Sequence, residues 1–335
     1  MAGFAPTKVY DTYWRFAAER QAMYDRRLEN PVGPWTKDEI LRSYRFTNAY
    51  RASDRVSQYL IRQVQYAEHR SQEPAEIIFR TLLFKIFNKI ESWELLEREL
   101  GALSWQAFDL SAASSILDEA MNHGHRIYSA AYIMPAPTLG HKRKHQNHLA
   151  LLSQMMEESL PGKIAATRSL QEVYEVLAPY NGLGPFLAFQ YAIDINYSAA
   201  LDHDEADFVV PGPGALDGIS KCFADTAGLT PTEIIYAMTD RQEHEFERLD
   251  LSFGGLFGRR LQPIDCQNLF CEISKYARVA HPDVEGISGR TRIKQSYKAA
   301  PRSLPQPFFP PRWNLPVPVY ASADAPMPGE QGALF

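Results

Sequence analysis

A mainly α-helical fold follows from three features of the chain. Apolar residues recur at i, i+3 and i+4 through most of the first 281 residues, no row of alternating strands interrupts them, and capping residues punctuate the runs. The 335 residues are 45% apolar and 22% charged, the balance of a globular protein with a sizeable core.

Taken in order, "VYDTYWRFAAERQAMYDRRL" sets Tyr10, Tyr13, Trp14, Ala17 and Ala18 on one stripe, with Arg and Glu opposite. "TKDEILRSYRF" opens with Thr36 as a cap and an acidic first turn. "ASDRVSQYLIRQVQYAEHR" and "EPAEIIFRTLLFKIFNKIESWELLERELG" each read as one helix, the second with Pro74 near its start and Gly101 beyond its end. "SAASSILDEAMNHG" predicts a capped helix ending at Gly124, followed by a loop, "MPAPTLGHKRKHQNH", and then by helices in "LALLSQMMEESL" and "SLQEVYEVLAPY". "FLAFQYAIDINYS", "GALDGISKCFA", "TPTEIIYAMTDRQEHEFERL" and "DCQNLFCEISKYARV" predict the remaining helices.

From Pro282 the character changes. "GRTRIKQSYKAAPRSLPQPFFPPRWNLPVPVY" is basic, aromatic and rich in Pro, which fixes φ and lacks an N–H, so an extended tail is expected. The expected organisation is a helical domain over 1–281, with room for two lobes and a hairpin near 178–198, then a basic, Pro-rich tail over 282–335. Phe308, Phe309 and Trp313 suggest that the tail docks on the body, and its end, "ASADAPMPGEQGALF", reads as disordered.

The net charge of −5 makes the whole molecule no polyanion binder, although a local basic face would suffice for DNA. Cys222, Cys266 and Cys271 are too few for a disulfide framework or a four-Cys iron–sulfur cluster and fit a reducing cytoplasm. No apolar run is long enough for a membrane span and the start has no signal-peptide core, so a cytoplasmic protein is expected.

The stretch "YNGLGPFLAFQYAIDINYS" (180–198) carries the first chemical signal. A helix, a Gly-Leu-Gly loop and a second helix form the layout of a helix-hairpin-helix. Gly182 and Gly184 remove the Cβ that would keep a DNA phosphate away, and the following helix N-terminus favours an anion. A plain turn between two core helices fits the same residues. A P-loop does not, because no Gly-Lys-Ser/Thr follows.

Helix-hairpin-helix glycosylases carry an essential Asp after the hairpin, at the head of another helix. Here "DHDEADFVVPGPGALDG" occupies that place, and Asp204 follows Gly184 by 20 residues. Breaking an N-glycosidic bond builds positive charge on the sugar, which a carboxylate stabilises. Asp207, between Ala206 and Phe208, is the first choice, on the expectation that it points into an apolar site; Asp204 and Asp194 are the rivals. Strand-cutting relatives use a Lys just after the second glycine, where this chain has Pro185 and Phe186, so water would be the acceptor.

Phe46, Asn48, Arg51 and Asp54, together with Gln190 and Tyr197 on the helix of Asp194, are candidates for a base and sugar pocket. Arg51 and Arg55 are expected to share a helix face. "FKIFNKIESWE" repeats the pattern with Asn88, Glu91 and Trp93. Arg55, Lys142, Arg143, Lys144, Arg290, Arg292 and Lys294 are candidate phosphate contacts with the two glycines. His141, His145 and His148 lack evident carboxylate or Cys partners, so no metal is expected, and no cofactor is implied.

These blocks taken in order — "FTNAYRASDRVSQYL", "IFRTLLFKIFNKIESWE", "IYSAAYIM", "GPFLAFQYAIDINYS", "DFVVPGPGALDGI" and "QNLFCEISKYARV" — resemble the alpha-glutamyl/putrescinyl thymine pyrophosphorylase family. They also resemble the helical module attached to 5-hydroxymethyluracil DNA kinases, over about residues 10–300. The resemblance implies a helix-hairpin-helix glycosylase-like fold and a partner in DNA carrying modified pyrimidines, with no obligatory protein partner. Two reactions follow as expectations. The leading one is a monofunctional DNA glycosylase in phage defence that excises a base such as glucosylated 5-hydroxymethylcytosine. The alternative is a transferase that replaces pyrophosphate on 5-pyrophosphoryloxymethyluracil, or a module that binds modified DNA without catalysis.

Overall fold

The computed structural model describes residues 4–297 and 303–320; the end expected to be disordered, 321–335, lies outside the described residues. In chain order the elements are β1 (Ala5–Pro6), α1 (Lys8–Glu29), α2 (Glu39–Ser43), α3 (Arg55–Tyr59), α4 (Pro74–Phe87), α5 (Ile90–Leu100), α6 (Leu110–Asn122) and α7 (Lys144–Glu157). They continue with α8 (Leu160–Ala165), α9 (Leu170–Leu177), α10 (Pro185–Asn196), α11 (Pro213–Cys222), β2 (Phe223–Asp225), α12 (Pro231–Arg248) and α13 (Pro263–Ala280). The fold is mainly α, as the periodicity predicts. None of the described helices is long and apolar enough to cross a membrane.

Two compact units interleave along the chain. Unit 1 takes residues from 1–54, 209–308 and 314–335; unit 2 takes 55–208 and 309–313. The sequence boundary at 282 is therefore not where the contacts divide.

Unit 1 is built on the aromatic stripe of α1. Tyr13, Trp14 and Ala17 are fully buried. Trp14 meets Phe246 of α12 edge-on at 5.2 Å, and Tyr13 lies 4.7 Å from Phe270 of α13. Edge and tilted contacts of this kind add to the area term for each ring. The Tyr13 hydroxyl donates to the Cys266 carbonyl at 3.2 Å, so its polar tip is satisfied inside the core. Helices α11 and α13 approach closely because Gly214 and Gly218 face Cys271 and Phe270; a Cβ on Gly218 would overlap the Phe270 carbonyl. Strands β1 and β2 pair antiparallel, Ala5 opposite Asp225. The cap of α2 is Asp38, whose Oδ1 accepts from Ile40 N and Leu41 N, while the expected cap, Thr36, accepts from Asp38 N instead.

Unit 2 centres on α4, buried from Glu76 to Phe87. The single helix expected over 74–100 is two, because Asn88 turns into the left-handed region (φ 48°) between α4 and α5. Helix α3 runs on into a π-helical turn over Leu60–Gln65. The buried Arg80 meets this turn by donating from Nε to the Val64 carbonyl at 2.9 Å. Helix α7 starts at Lys144, so the last third of the expected 134–148 loop is helical. Trp313 sits edge-on to Tyr197 at 5.6 Å and stacks on Phe309, and Arg312 pairs with Asp202 at 3.0 Å, which docks 309–313 on this unit.

Two glycine substitutions should move stability in opposite directions. Gly218→Ala should cost about 1–3 kcal/mol by overpacking against Phe270, whereas Gly162→Ala on α8, with open space around it, should gain up to about 1 kcal/mol. Urea unfolding of both variants measures the signs.

Candidate functional site

The loop between α9 and α10 is closed by Leu183 N donating to the Tyr180 carbonyl at 3.0 Å. Gly182 holds φ 92°, and a Cβ there would come within 3.2 Å of Met134 Cε and of the Pro135 carbonyl. Its close approach thus serves the chain's own 134–135 loop. Gly184 is different: it caps α10 with nothing within 4 Å of a Cβ, and Pro185 takes the first helical position. That end of α10 is open to an anion.

Two turns into α10 lies the main polar feature of unit 2. Asp194 is 1% exposed and its Oδ2 is 2.8 Å from Lys85 Nζ of α4, itself 3% exposed. Lys85 also donates to Asn88 Oδ1 at 3.1 Å and lies 4.6 Å from the centre of the Tyr132 ring. Gln65, from the π-helical turn, donates to the Asp194 carbonyl at 2.7 Å. Tyr132 is half-buried, has φ 53°, and stacks on Phe186 with centroids 6.2 Å apart and planes 21° from parallel. Left-handed backbone at an aromatic residue costs energy and concentrates at functional sites. The buried ion pair therefore has the Tyr132 ring over its ammonium, and Tyr132 in turn stacks on the partly exposed Phe186.

The loop of Tyr132 continues into the wall of a shallow cleft of about 400 Å³, lined by Ala136, Thr138, Gly140, His141, Lys142, Lys144 and Asn147 among others. Asn147 shapes it, accepting from Leu139 N at 2.9 Å and donating to the His141 carbonyl at 2.8 Å. Lys142 is exposed and Lys144 half-buried over the Tyr128 ring at 4.6 Å. Arg143 is instead paired with Asp118 at 2.6 Å. His148 bridges the Tyr128 hydroxyl and the Pro135 carbonyl, and burial pushes its imidazole down to about 4, so it is a neutral strut. No metal-ligand cluster occurs among the described residues.

The other sequence candidates divide between the units. In unit 2, Gln190 of α10 and Tyr197, the residue that caps its end, are buried, Tyr197 against Trp313. Arg55 is exposed at the start of α3. In unit 1, Phe46 packs edge-on against Phe16 at 5.4 Å. Asn48 donates from Nδ2 to the Ser53 carbonyl, Asp54 Oδ1 accepts from Asn48 N, and Asp265 Oδ1 accepts from Arg51 N, at 2.8, 2.8 and 3.0 Å. Arg51 is buried in a short 3₁₀ turn and does not share a helix face with Arg55. The proposed pocket set is thus not gathered in one unit, and its unit 1 members organise the 47–54 loop. Burial raises the Asp54 carboxyl to about 7. Arg290, Arg292 and Lys294 are exposed in unit 1.

Asp207 does not enter an apolar site. In the irregular stretch before α11, Glu205 is buried and the Phe208 ring packs on Tyr174 and Phe189 at 5.1 and 5.8 Å, which leaves Asp207 exposed. Asp204 is exposed too, its Oδ1 accepting from Ala206 N at 2.8 Å. Lys85, Tyr132 and Gln65 were missed as site residues. The available signal for Lys85 was that it and Arg80 are the two cations inside the apolar run "IIFRTLLFKIF".

Unit 2 thus combines a glycine loop, an open helix N-terminus and a basic cleft. The chain belongs to the family described as 5-hmdU DNA kinase, helical domain, whose profile matches residues 7–286. It is similar to a 5-hmdU DNA kinase of Bacillus phage SP10, 24% identical over 288 residues, covering 80% of this chain and 45% of that kinase. The chain thus spans about half the length of the curated relative it matches. No solved structure matches. These findings overturn the expected DNA N-glycosylase: the named relative is a kinase, a transferase, and nothing in the family description concerns hydrolysis of an N-glycosidic bond. The sugar-cation role expected of Asp207, Asp204 and Asp194 falls with that reaction.

Removing one charge of the Lys85–Asp194 pair should destabilise by about 3–5 kcal/mol, while Lys85→Met with Asp194→Leu should recover much of the loss; a double-mutant cycle in urea measures it. Asp54 gives a pH signature. Its carboxyl rises from roughly 3.9 unfolded to about 7 folded, so its protonated form is favoured by folding and stability falls as pH rises through that window. Asp54→Asn should flatten the fall, seen as a thermal midpoint that gains on the parent from pH about 5 to about 8.

Proposed function

We propose that the chain acts on DNA carrying 5-hydroxymethyluracil-derived bases, as a transferase that replaces pyrophosphate on the thymine methylene with an amine. What supports this is membership of the 5-hmdU DNA kinase helical-domain family over 7–286, together with a buried Lys85–Asp194 pair under Tyr132, which stacks on Phe186. The amine nitrogen would bond to the exocyclic carbon as the C–O bond breaks, and pyrophosphate would leave with the electron pair. The ammonium so formed must then lose a proton.

Each part has a candidate. Tyr132 and Phe186 would stack on the extruded base. Lys142 and Lys144 would hold the departing pyrophosphate, since fixed cations stabilise developing negative charge. Asp194 would take the proton, with Lys85 holding its carboxylate in place. Gly184 would admit a DNA phosphate at the head of α10.

The near-complete burial of Lys85 and Asp194 favours a second reading, in which the pair is structural and the chain binds modified-thymine DNA without changing it. One assay separates the two. Incubate the protein with DNA containing 5-pyrophosphoryloxymethyluracil and a glutamate or putrescine donor, then follow pyrophosphate and the nucleosides by mass spectrometry. Turnover is expected, and Lys142→Ala with Lys144→Ala should slow it by ~10²-fold. Tight binding with no substituted thymine would overturn the transferase reading in favour of the second.

A further inference from the structure

We propose that Gly289–Lys294 of unit 1 is a strap that grips one strand of the DNA backbone, set in place by a buried ion pair on α11. It rests on the reading of the chain as a DNA-acting protein, but not on any reaction. Asp217 and Lys221, one turn apart on α11, are 1% and 2% exposed with Oδ2 and Nζ 3.4 Å apart. Asp217 takes the Ser274 hydroxyl of α13 on Oδ2 and the backbone N–H of Ser288 on Oδ1, the latter at 2.7 Å. Lys221 donates to the Ser274 carbonyl at 3.0 Å. The segment passes so close that a Cβ on Gly286 would lie 2.6 Å from Lys221 Cε and overlap the Asp217 carboxylate.

The far end is tied as well. Arg45 N donates to the Gln295 carbonyl at 3.1 Å and Tyr297 N to the Ser43 carbonyl at 2.8 Å. Between the ties runs Arg290-Thr291-Arg292-Ile293-Lys294, in which the three cations are exposed and Ile293 is half-buried. Arg290, Arg292 and Lys294 make no ion pair among the described residues, and the backbone N–H groups of 291–294 have no partner there. Alternate residues of an extended run stand roughly 6–7 Å apart on one side. That matches the spacing of successive phosphates on a strand. A solvated charge run would not need a buried ion pair and an obligatory glycine to fix its start.

The test uses the full chain and unmodified DNA, with affinity measured from about 50 to about 200 mM salt. Replacing Arg290, Arg292 and Lys294 together by Ala should weaken binding by about tenfold or more at the low end and reduce the slope of log K on log salt by about 2–3. Gly286→Ala, which changes no charge, should weaken binding in the same direction, with faster exchange of the Ser288 amide. Unchanged affinity and slope in the triple variant would overturn the strap. With DNA carrying 5-hydroxymethyluracil measured alongside, a loss seen only on the modified DNA would overturn backbone recognition, and a Gly286→Ala variant with faster exchange but full affinity would overturn the clamp. A failure of the transferase assay would leave all of these readouts intact.

Discussion

Burying Lys85 beside Asp194 constrains most of unit 2. Removing two charges from water costs several kcal/mol for each, which mutual attraction offsets only when the remaining donors and acceptors are matched. The surroundings are arranged to do this. Asn88 brings its amide oxygen to Lys85 by adopting the left-handed backbone that also ends α4. Tyr132 lays its ring over the ammonium from a strained backbone. Gln65 reaches the Asp194 carbonyl from a π-helical turn, a geometry that favours neither propensity nor helix length. The break after α4, the π turn and the 127–141 loop are thus local irregularities with one common neighbour.

Unit 1 uses carboxylates in the same way on a smaller scale. Asp54 and Asp265 each accept backbone N–H groups, and desolvation raises both acids, Asp265 to about 6. They hold the 47–54 turn and the start of α13, which makes Asn48 and Arg51 scaffold in that unit. Asp217 does the same for the 286–288 turn. In each case a polar group enters the interior to fix a loop, because a loop has no repeating backbone pattern to fix itself.

This division explains what the sequence could reveal. The helices were legible because each buries one stripe, and Tyr13, Trp14 and Ala17 of α1 fall where a 3.6-residue period puts them. The break at Asn88 was not, since no Gly or Pro marks it and its cause lies in Lys85, three residues back, and in the partner helix. Asp38 displaced Thr36 as the cap of α2 because both can serve and only the entry of the chain decides. The direction of Asp207 was illegible for a related reason: flanking residues predict facing only where the backbone is periodic, and 202–208 is irregular. Interleaving of 1–54 with 209–308 rests on contacts far apart in sequence, which no local pattern reports.

A glycine loop beside a helix N-terminus suits a phosphate without deciding which bond is attacked. A glycosylase needs a carboxylate facing the sugar, and the acids nearest the expected spacing, Asp204 and Asp207, face solvent. A kinase named for 5-hmdU in DNA and a transferase at the thymine methylene need something else: the C5 substituent must be reachable while the base is held by its faces. Two near-parallel rings with cations on the adjoining loop suit that requirement better than they suit glycosidic cleavage, because flat rings match the faces of a base and fixed cations favour anionic oxygen over a sugar cation. A kinase and a transferase at that position would differ in what supplies the leaving group, while both need the base held by its faces.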